Sequence, residues 1–238
     1  MSNKKQIFCF TYAGGTTTFF DEIEKDLSEF ELVKLEYSGH GKRHKEPFYN
    51  NFDELADDLF DILIRLSNGS EYALFGYSMG TISLIEVLKR INKNRNLSLP
   101  SNVFLAAHEP KTKRELSDFT PEELDEWVKA RTIRFGAIPQ KLINNESFWR
   151  MYLPLYRADY SIISKYCFDD LSMLSDIPTT VFYSETDTKY EDMKLWMKIF
   201  TGDIEYYQFD GTHFFIQNHH SEIASIIQRR MRRNKNDF

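Results

Sequence analysis

Short apolar segments of strand length alternate with segments of helical periodicity along most of this chain. The apolar segments fall at residues 6–12, 30–37, 71–77, 102–107, 178–184 and 204–209. Amphipathic helical patterns fall at residues 16–27, 51–66, 79–91 and 221–233. This alternation predicts an α/β fold in which a mostly parallel central sheet carries helices on both faces.

Between about residue 109 and residue 176 the alternation stops and helical patterns replace strands. Thr120, Pro121 and Glu123 mark the start of a helix, because they supply an N-cap, a proline at the first helical position and a capping-box glutamate. We therefore predict a single domain, residues 1–238, with a helical insertion at about 109–176. An insertion after a central strand can form a lid over the carboxyl edge of the sheet.

Aromatic residues near that edge are candidates for lining a substrate cavity. Four of them lie in the insertion and one in the loop after the first strand: Trp127, Trp149, Tyr152, Tyr156 and Tyr12. The alternative is that these rings attach the insertion to the core of the sheet.

The composition is that of an ordinary globular protein. Of the 238 residues, 42% are hydrophobic and 28% are charged, and the net charge is −6. A negative net charge argues against a general nucleic-acid binder. We find no apolar run long enough to span a membrane and no signal-peptide pattern, and the two cysteines suggest no disulfide framework. We expect a cytoplasmic, monomeric protein that does not bind membranes.

The sequence Gly76-Tyr77-Ser78-Met79-Gly80 is a G-x-S-x-G motif between a predicted strand and a predicted helix. A serine on such a sharp strand-to-helix turn projects its hydroxyl away from the sheet. The two glycines allow the helix to approach the strand closely. The alternative is a tight glycine turn with an inert serine, but the strand and helix on either side favour a nucleophile at Ser78.

A serine hydroxyl becomes a useful nucleophile only when a base takes its proton. His213 follows the last predicted strand, which places it at the same sheet edge as Ser78. Asp187 follows the strand at 178–184 and is our candidate for the acid that orients the imidazole. Glu185 is the nearest alternative, and Asp210 is weaker because it lies so close to His213. Ser78, Asp187 and His213 follow the chain order serine, acid, histidine of the α/β-hydrolase fold.

An oxyanion formed at the reacting carbonyl needs backbone N–H donors. The amide of Met79, directly after the nucleophile, is the first candidate. The second should come from the loop after the first strand, where we choose Ala13. The alternative for that loop is a plain glycine turn into the following helix.

Several motifs together resemble the type II (external) thioesterases of nonribosomal peptide and polyketide assembly lines. The motifs are CFTYAGG (9–15), YSGHGKRHKEP (37–47), FGYSMG (75–80), LPLYRADY (153–160) and DGTHFF (210–215). The resemblance covers almost the whole chain. It implies the same catalytic residues, Ser78, Asp187 and His213, with oxyanion donors at Ala13 and Met79.

By this resemblance, the activity is hydrolysis of acyl groups from the phosphopantetheine thiol of carrier domains, which clears stalled or wrongly primed synthetases. No metal and no cofactor of its own is implied, and acyl or peptidyl carrier domains are the expected partners. Lys111, Lys113 and Arg114 are candidates to receive an acidic carrier domain, or else ordinary solvated charges. The alternatives are an esterase or lipase of the same fold, or a catalytically silent module that binds a synthetase.

Overall fold

The computed structural model describes residues 3–112, 119–136, 138–169, 171 and 174–232. The strands are β1 Gln6–Phe10, β2 Glu31–Leu35, β3 Tyr72–Tyr77, β4 Asn102–Ala106, β5 Thr179–Tyr183 and β6 Ile204–Gln208. The helices are α1 Asp21–Asp26, α2 Phe52–Leu66, α3 Met79–Lys93, α4 Pro121–Arg134, α5 Glu146–Ser164, α6 Tyr190–Met193 and α7 Ile216–Arg232. Short 3-10 turns cover Thr17–Phe20, Gly41–Arg43, Gln140–Leu142 and Lys194–Lys198.

The strands form one parallel sheet in the order β2-β1-β3-β4-β5-β6. The chain reverses its direction of travel across the sheet between β1 and β3, which are hydrogen-bonded neighbours. In open α/β sheets, the carboxyl ends of the strands on either side of such a reversal form a crevice where ligands bind. Residues that follow β1 and β3 therefore meet at this point, as the sequence predicts for Ala13 and Ser78.

Helices cover both faces of the sheet, and alternate residues of each strand reach the two faces. In β1, Phe8 and Phe10 belong to the core cluster that includes buried residues of α2 and α3, whereas Ile7 and Cys9 belong to the cluster on the face of α1 and α7. All four β1 side chains are fully buried. The four inner strands are buried at every residue, which explains why they read as largely apolar runs in the sequence. The predicted fold class is confirmed.

Two helices differ from their sequence-based expectation. The pattern at 16–27 divides into a 3-10 turn and α1, so it is not one continuous helix. The last helix begins at Ile216, five residues before its expected start, and is kinked at His219 (φ −123°, ψ 19°). Helical periodicity marked the apolar face correctly, but it could not detect a break in the backbone.

The described part of the insertion contains two long helices, α4 and α5. The capping box at Thr120 is formed as predicted, with Thr120 and Glu123 exchanging side-chain and backbone hydrogen bonds. Arg157 of α5 makes two hydrogen bonds to Asp125 of α4, with N···O distances of 2.6 and 2.5 Å. These bonds hold the two helices together as a pair. The single-domain boundary at 1–238 stays a prediction.

No helix in the described ranges is long and apolar enough to cross a membrane. The same residues contain no group of three or more histidine, cysteine or acidic side chains that could hold a metal ion.

Close approach of α3 to β1 depends on Gly80. A Cβ atom at Gly80 would lie 2.0 Å from the carbonyl oxygen of Phe10 and 2.7 Å from that of Thr11, both backbone atoms. We expect Gly80→Ala to lower the free energy of unfolding by at least about 2 kcal/mol, because helix and strand would have to separate. Urea denaturation followed by circular dichroism measures this loss.

Gly69→Ala is the matched control for that variant. Its added Cβ would meet nothing within 4 Å, so only the positive φ of +78° opposes the change. We expect a cost of about 1 kcal/mol there. Equal losses at the two positions would contradict the packing argument.

Candidate active site

Ser78 lies on a strained turn between β3 and α3. Its backbone has φ 54° and ψ −119°, a conformation that residues with a side chain rarely adopt. The Ser78 N–H donates to the carbonyl of Ala106 at 2.8 Å, and the Ser78 carbonyl accepts from the Thr81 N–H at 2.9 Å. These bonds hold the strain of about 1–3 kcal/mol that such a turn stores. The turn lifts the half-buried Ser78 hydroxyl above the edge of the sheet.

His213 stands between Ser78 and Asp187. Its Nε2 atom lies 3.0 Å from the Ser78 Oγ, and its Nδ1 atom lies 2.8 Å from the Asp187 Oδ2. The side chains of His213 and Asp187 are only 7% and 8% exposed, so solvent competes weakly for these bonds. When Nδ1–H donates to the carboxylate, the lone pair on Nε2 faces the serine hydroxyl.

Contacts other than those with Ser78 and Asp187 also hold the His213 ring in place. The Phe135 ring stacks on the imidazole with 4.1 Å between centroids and 16° between planes. The Tyr77 hydroxyl donates to the His213 carbonyl at 2.6 Å. The ring is therefore restrained at its face and at its backbone, which limits rotation away from Ser78.

The alternative acids are engaged elsewhere. Glu185 accepts a hydrogen bond from the Tyr190 N–H at 2.9 Å. The side chain of Asp210 is 91% exposed and pairs with His219. Among the predicted acids, only Asp187 contacts the His213 ring in the described structure.

Ala13 and Met79, the two predicted oxyanion donors, line the same cavity as Ser78. Met79 is the first residue of α3, so its N–H has no acceptor within the helix. Ala13 is buried in the turn that Gly15 closes by donating to the Tyr12 carbonyl at 2.9 Å. Among the described residues, the Ala13 N–H has no acceptor. Both amides are available to a ligand, although their roles stay predictions.

A buried carboxylate that the sequence analysis did not single out holds the turn containing Ala13. The Asp159 Oδ2 atom accepts from the Gly14 N–H at 2.6 Å and lies 2.9 Å from the His40 Nε2. The other ring nitrogen of His40 lies 2.9 Å from the Ser38 carbonyl. Because both ring nitrogens face oxygen atoms that accept hydrogen bonds, this geometry favours the doubly protonated, positively charged form of His40.

The sequence held a signal for this pair. His40 lies within YSGHG and Asp159 within RADY, two motifs of the resemblance, but nothing in a single sequence places them in contact. Gly14 has φ +75°, and a Cβ atom there would lie 2.0 Å from the Tyr156 ring. The turn is therefore packed against α5 as well as hydrogen-bonded to it.

A cavity of about 640 Å³ opens beside Ser78 and His213. Residues after β4 and β5 and residues of α4 and α5 form its walls, and Trp127 is among them. Tyr12 and Tyr156 line a much smaller recess that also contacts Ser78 and His213. Three of the five predicted aromatic residues thus border the space around the serine.

Trp149 and Tyr152 do not line these cavities, which corrects the expectation for both. Trp149 is buried, and its indole N–H donates to the Ile143 carbonyl at 2.7 Å. Tyr152 is 40% exposed and stacks on Phe148 at 4.7 Å. The first ring fastens the start of α5, and the second lies on the outer surface. Helical spacing identified an aromatic helix without identifying which side faces the cavity.

Of the three predicted carrier-binding cations, Lys111 is described and pairs with Asp192 at 2.5 Å. Lys113 and Arg114 lie outside the described residues.

Comparison with known proteins identifies the family. The model of the thioesterase domain family matches residues 5–231. The medium-chain S-acyl fatty acid synthase thioesterase of Rattus norvegicus is 28% identical over 222 residues, which cover 91% of this chain and 83% of that protein. The probable cadicidin biosynthesis thioesterase of Streptomyces griseus is 29% identical over 231 residues, which cover 93% of this chain and 62% of that protein.

A solved structure agrees with these relatives. The RedJ thioesterase from the prodiginine pathway of Streptomyces coelicolor superposes with a TM-score of 0.83 at 25% identity, covering 96% of this chain and 86% of that chain. Since the family model spans nearly the whole sequence, the chain belongs to the thioesterase domain family, and it is a hydrolase acting on thioesters. The resemblance predicted from the motifs is confirmed.

The His40–Asp159 pair predicts a pH-dependent stability. Burial alone would lower the pKa of His40, but the Asp159 carboxylate and the Ser38 carbonyl outweigh burial and raise it. A raised pKa in the folded state adds stability that is complete below the ordinary histidine pKa of about 6.5 and is lost as pH rises through the folded value. We expect the free energy of unfolding of the wild type to fall over this range relative to His40→Gln. Urea denaturation between pH 6 and pH 9 measures the difference. Parallel curves for the two proteins would refute a charged His40.

Proposed function

We propose that this chain is a type II thioesterase that hydrolyses acyl groups from the phosphopantetheine thiol of carrier domains in nonribosomal peptide or polyketide synthetases. The observation that carries the proposal is the unbroken row Ser78–His213–Asp187, which opens on a cavity of about 640 Å³. The Streptomyces griseus and Streptomyces coelicolor relatives are both named for biosynthetic pathways, which supports synthetase carrier domains as partners.

In the first half of the reaction, the thioester acylates Ser78. The Ser78 Oγ attacks the thioester carbonyl carbon while its proton passes to the His213 Nε2, and the carbonyl electrons move to the oxygen. The amides of Ala13 and Met79 donate to that oxyanion. When the intermediate collapses, the C–S bond breaks and His213 returns the proton to the departing thiol. Asp187 stabilises the charged imidazole between these two transfers.

In the second half, water releases the acyl group. His213 now takes a proton from water, whose oxygen attacks the ester carbonyl of acylated Ser78, and the same two amides donate to the new oxyanion. Collapse breaks the Oγ–C bond, and His213 returns the proton to Ser78. The products are a free acid and a free carrier thiol. Every proton and electron pair is accounted for by the protein and water, so we propose that the chain needs no resident cofactor.

We further propose that α4 and α5 act as a lid. Phe135, directly after α4, stacks on His213, and Asp159 of α5 holds the turn containing Ala13. Movement of the insertion would therefore disturb both the base and an oxyanion donor.

Both cysteines are free thiols, which fits the reducing cytoplasm as the site of the reaction.

Removal of the proposed nucleophile is the direct test. We expect Ser78→Ala to reduce deacylation of an acyl-loaded carrier domain by at least about 10³-fold, because no oxygen remains to form the acyl-enzyme. Intact-mass spectrometry of the carrier measures the loss of the acyl group. Ser221→Ala is the control, since that hydroxyl lies on α7 and donates to Asp26, away from the cavity. Undiminished deacylation by folded Ser78→Ala would rule out the serine mechanism.

The same assay separates the alternative functions. A carboxylesterase or lipase would prefer soluble oxygen esters to acyl-carrier thioesters. A silent binding module would retain a loaded carrier domain without releasing its acyl group. We expect the wild type to hydrolyse carrier thioesters faster than oxygen esters of the same acyl chain.

A further inference from the structure

Arg131 of α4 lines the same cavity as Ser78 and His213. Its guanidinium lies between two aromatic rings, with the Cζ atom 5.0 Å from the centroid of Trp127 and 4.7 Å from that of Phe135. Phe135 is also the ring that stacks on His213. One aromatic side chain therefore contacts both the proposed base and this cation.

The charge of Arg131 has no carboxylate partner among the described residues. Its Nε atom is buried there without a hydrogen-bond partner. The two acids nearest in sequence on the same helix are paired elsewhere, Asp125 with Arg157 and Glu126 with Lys129. Other partly or fully shielded arginines in the described chain are paired: Arg43 with Asp58, Arg90 with Asp57, and Arg230 with Asp203.

The hydroxyl group of Tyr160 is another neighbour of the Arg131 guanidinium. Burial raises the pKa of Tyr160 to about 12, and the positive charge of Arg131 beside the hydroxyl limits that rise. Tyr160 therefore stays neutral at physiological pH and leaves the charge of Arg131 uncompensated. A buried donor without a partner costs about 1–3 kcal/mol, so such a group calls for an explanation.

We propose that Arg131 is an anion-binding residue of the substrate cavity, and that it selects thioester substrates carrying a negatively charged group. The proposal rests on the function proposed above. The guanidinium contacts both aromatic rings and shares one hydrogen bond with the Tyr160 hydroxyl. Because a guanidinium carries five N–H donors, donors remain for an oxyanion ligand. Charge-assisted bonds of this kind are about twice as strong as neutral ones.

Other charges on the cavity wall do not replace this role. Asp187 is engaged by His213, and Glu109 accepts a hydrogen bond from the Thr188 hydroxyl. Lys111 is paired with Asp192, and Arg134 is exposed to solvent. Arg131 therefore combines a shielded position with a charge that no described carboxylate neutralises.

The anion has two sources in an acyl-carrier substrate. One is a carboxylate on the acyl chain, as in a dicarboxylic half-thioester. The other is the phosphate at the far end of the phosphopantetheine arm. The chemistry that recognises them is the same, and substrates that carry only one of the two anions separate the sources.

The experiment compares wild type with Arg131→Met, which keeps an unbranched apolar side chain but removes the charge. Thioesters of N-acetylcysteamine carry no phosphate, so they isolate the acyl group. Malonyl, succinyl and glutaryl thioesters are paired with neutral counterparts in which an isopropyl group replaces the carboxylate. To test the phosphate alone, the same neutral acyl group is attached to phosphopantetheine and to pantetheine, and the two thioesters are compared.

For an acyl carboxylate, we expect Arg131→Met to lower kcat/KM at least tenfold on at least one dicarboxylic thioester and less than twofold on its neutral counterpart. If the anion is the phosphate, we expect Arg131→Met to lower kcat/KM at least tenfold only for thioesters of phosphorylated pantetheine. Lys129→Met is the control, because it removes a charge from the same helix where Lys129 pairs with exposed Glu126. Equal effects of Arg131→Met on charged and neutral substrates of both sets would overturn the proposal.

A binding measurement keeps this test separate from the proposed function. Amide analogues of the same substrates, with nitrogen in place of sulfur, are titrated calorimetrically into wild type, Arg131→Met and Arg131→Lys. We expect tighter binding of the anionic analogues to wild type, a loss of that preference in Arg131→Met and partial recovery in Arg131→Lys. If no thioester is hydrolysed but this preference persists, the proposed function fails and the anion site stands. If thioesters are hydrolysed and the preference is absent, the proposed function stands and the anion site fails.

Discussion

The two hydrogen bonds of His213 connect parts of the chain that are far apart in sequence. Ser78 follows β3, Asp187 follows β5 and His213 follows β6, and the parallel sheet brings all three to its carboxyl edge. The distances of 3.0 and 2.8 Å leave no room for a water molecule between the partners. The proposed chemistry depends on this alignment, because each proton transfer passes through the one imidazole ring.

The helical insertion supports this alignment as well as enclosing the cavity. Phe135 stacks on His213, and Asp159 binds the Gly14 amide and His40 at the same time. Tyr156 packs where a side chain at Gly14 would have to lie. The insertion therefore contributes to the position of the proposed base and to that of a proposed oxyanion donor. We expect a change in its orientation to alter the proposed catalysis without displacing Ser78.

The sequence predicted the fold and the Ser78–Asp187–His213 constellation because each leaves a local pattern. Buried strands read as apolar runs, a strand-to-helix turn requires glycines at fixed spacing, and the end of a strand fixes the edge to which the next residues belong. The kink at His219 and the division of residues 16–27 left no such pattern.

Contacts across the insertion were the least predictable. Trp149 and Trp127 have the same side chain and both lie on helices of the insertion, yet only Trp127 reaches the cavity. The orientation of each helix is set by the elements packed against it. The His40–Asp159 contact joins residues 119 positions apart. Pairings at that separation depend on tertiary packing, which one sequence does not encode in any local signal.

Covalent labelling tests the central claim most directly. A fluorophosphonate probe reacts with a serine only when a neighbouring base activates it, and peptide mass mapping identifies the labelled residue. We predict a single adduct per chain, located on Ser78, and its loss in folded His213→Gln. An unlabelled Ser78 in the wild type, or equal labelling in His213→Gln, would contradict activation of this hydroxyl by the imidazole.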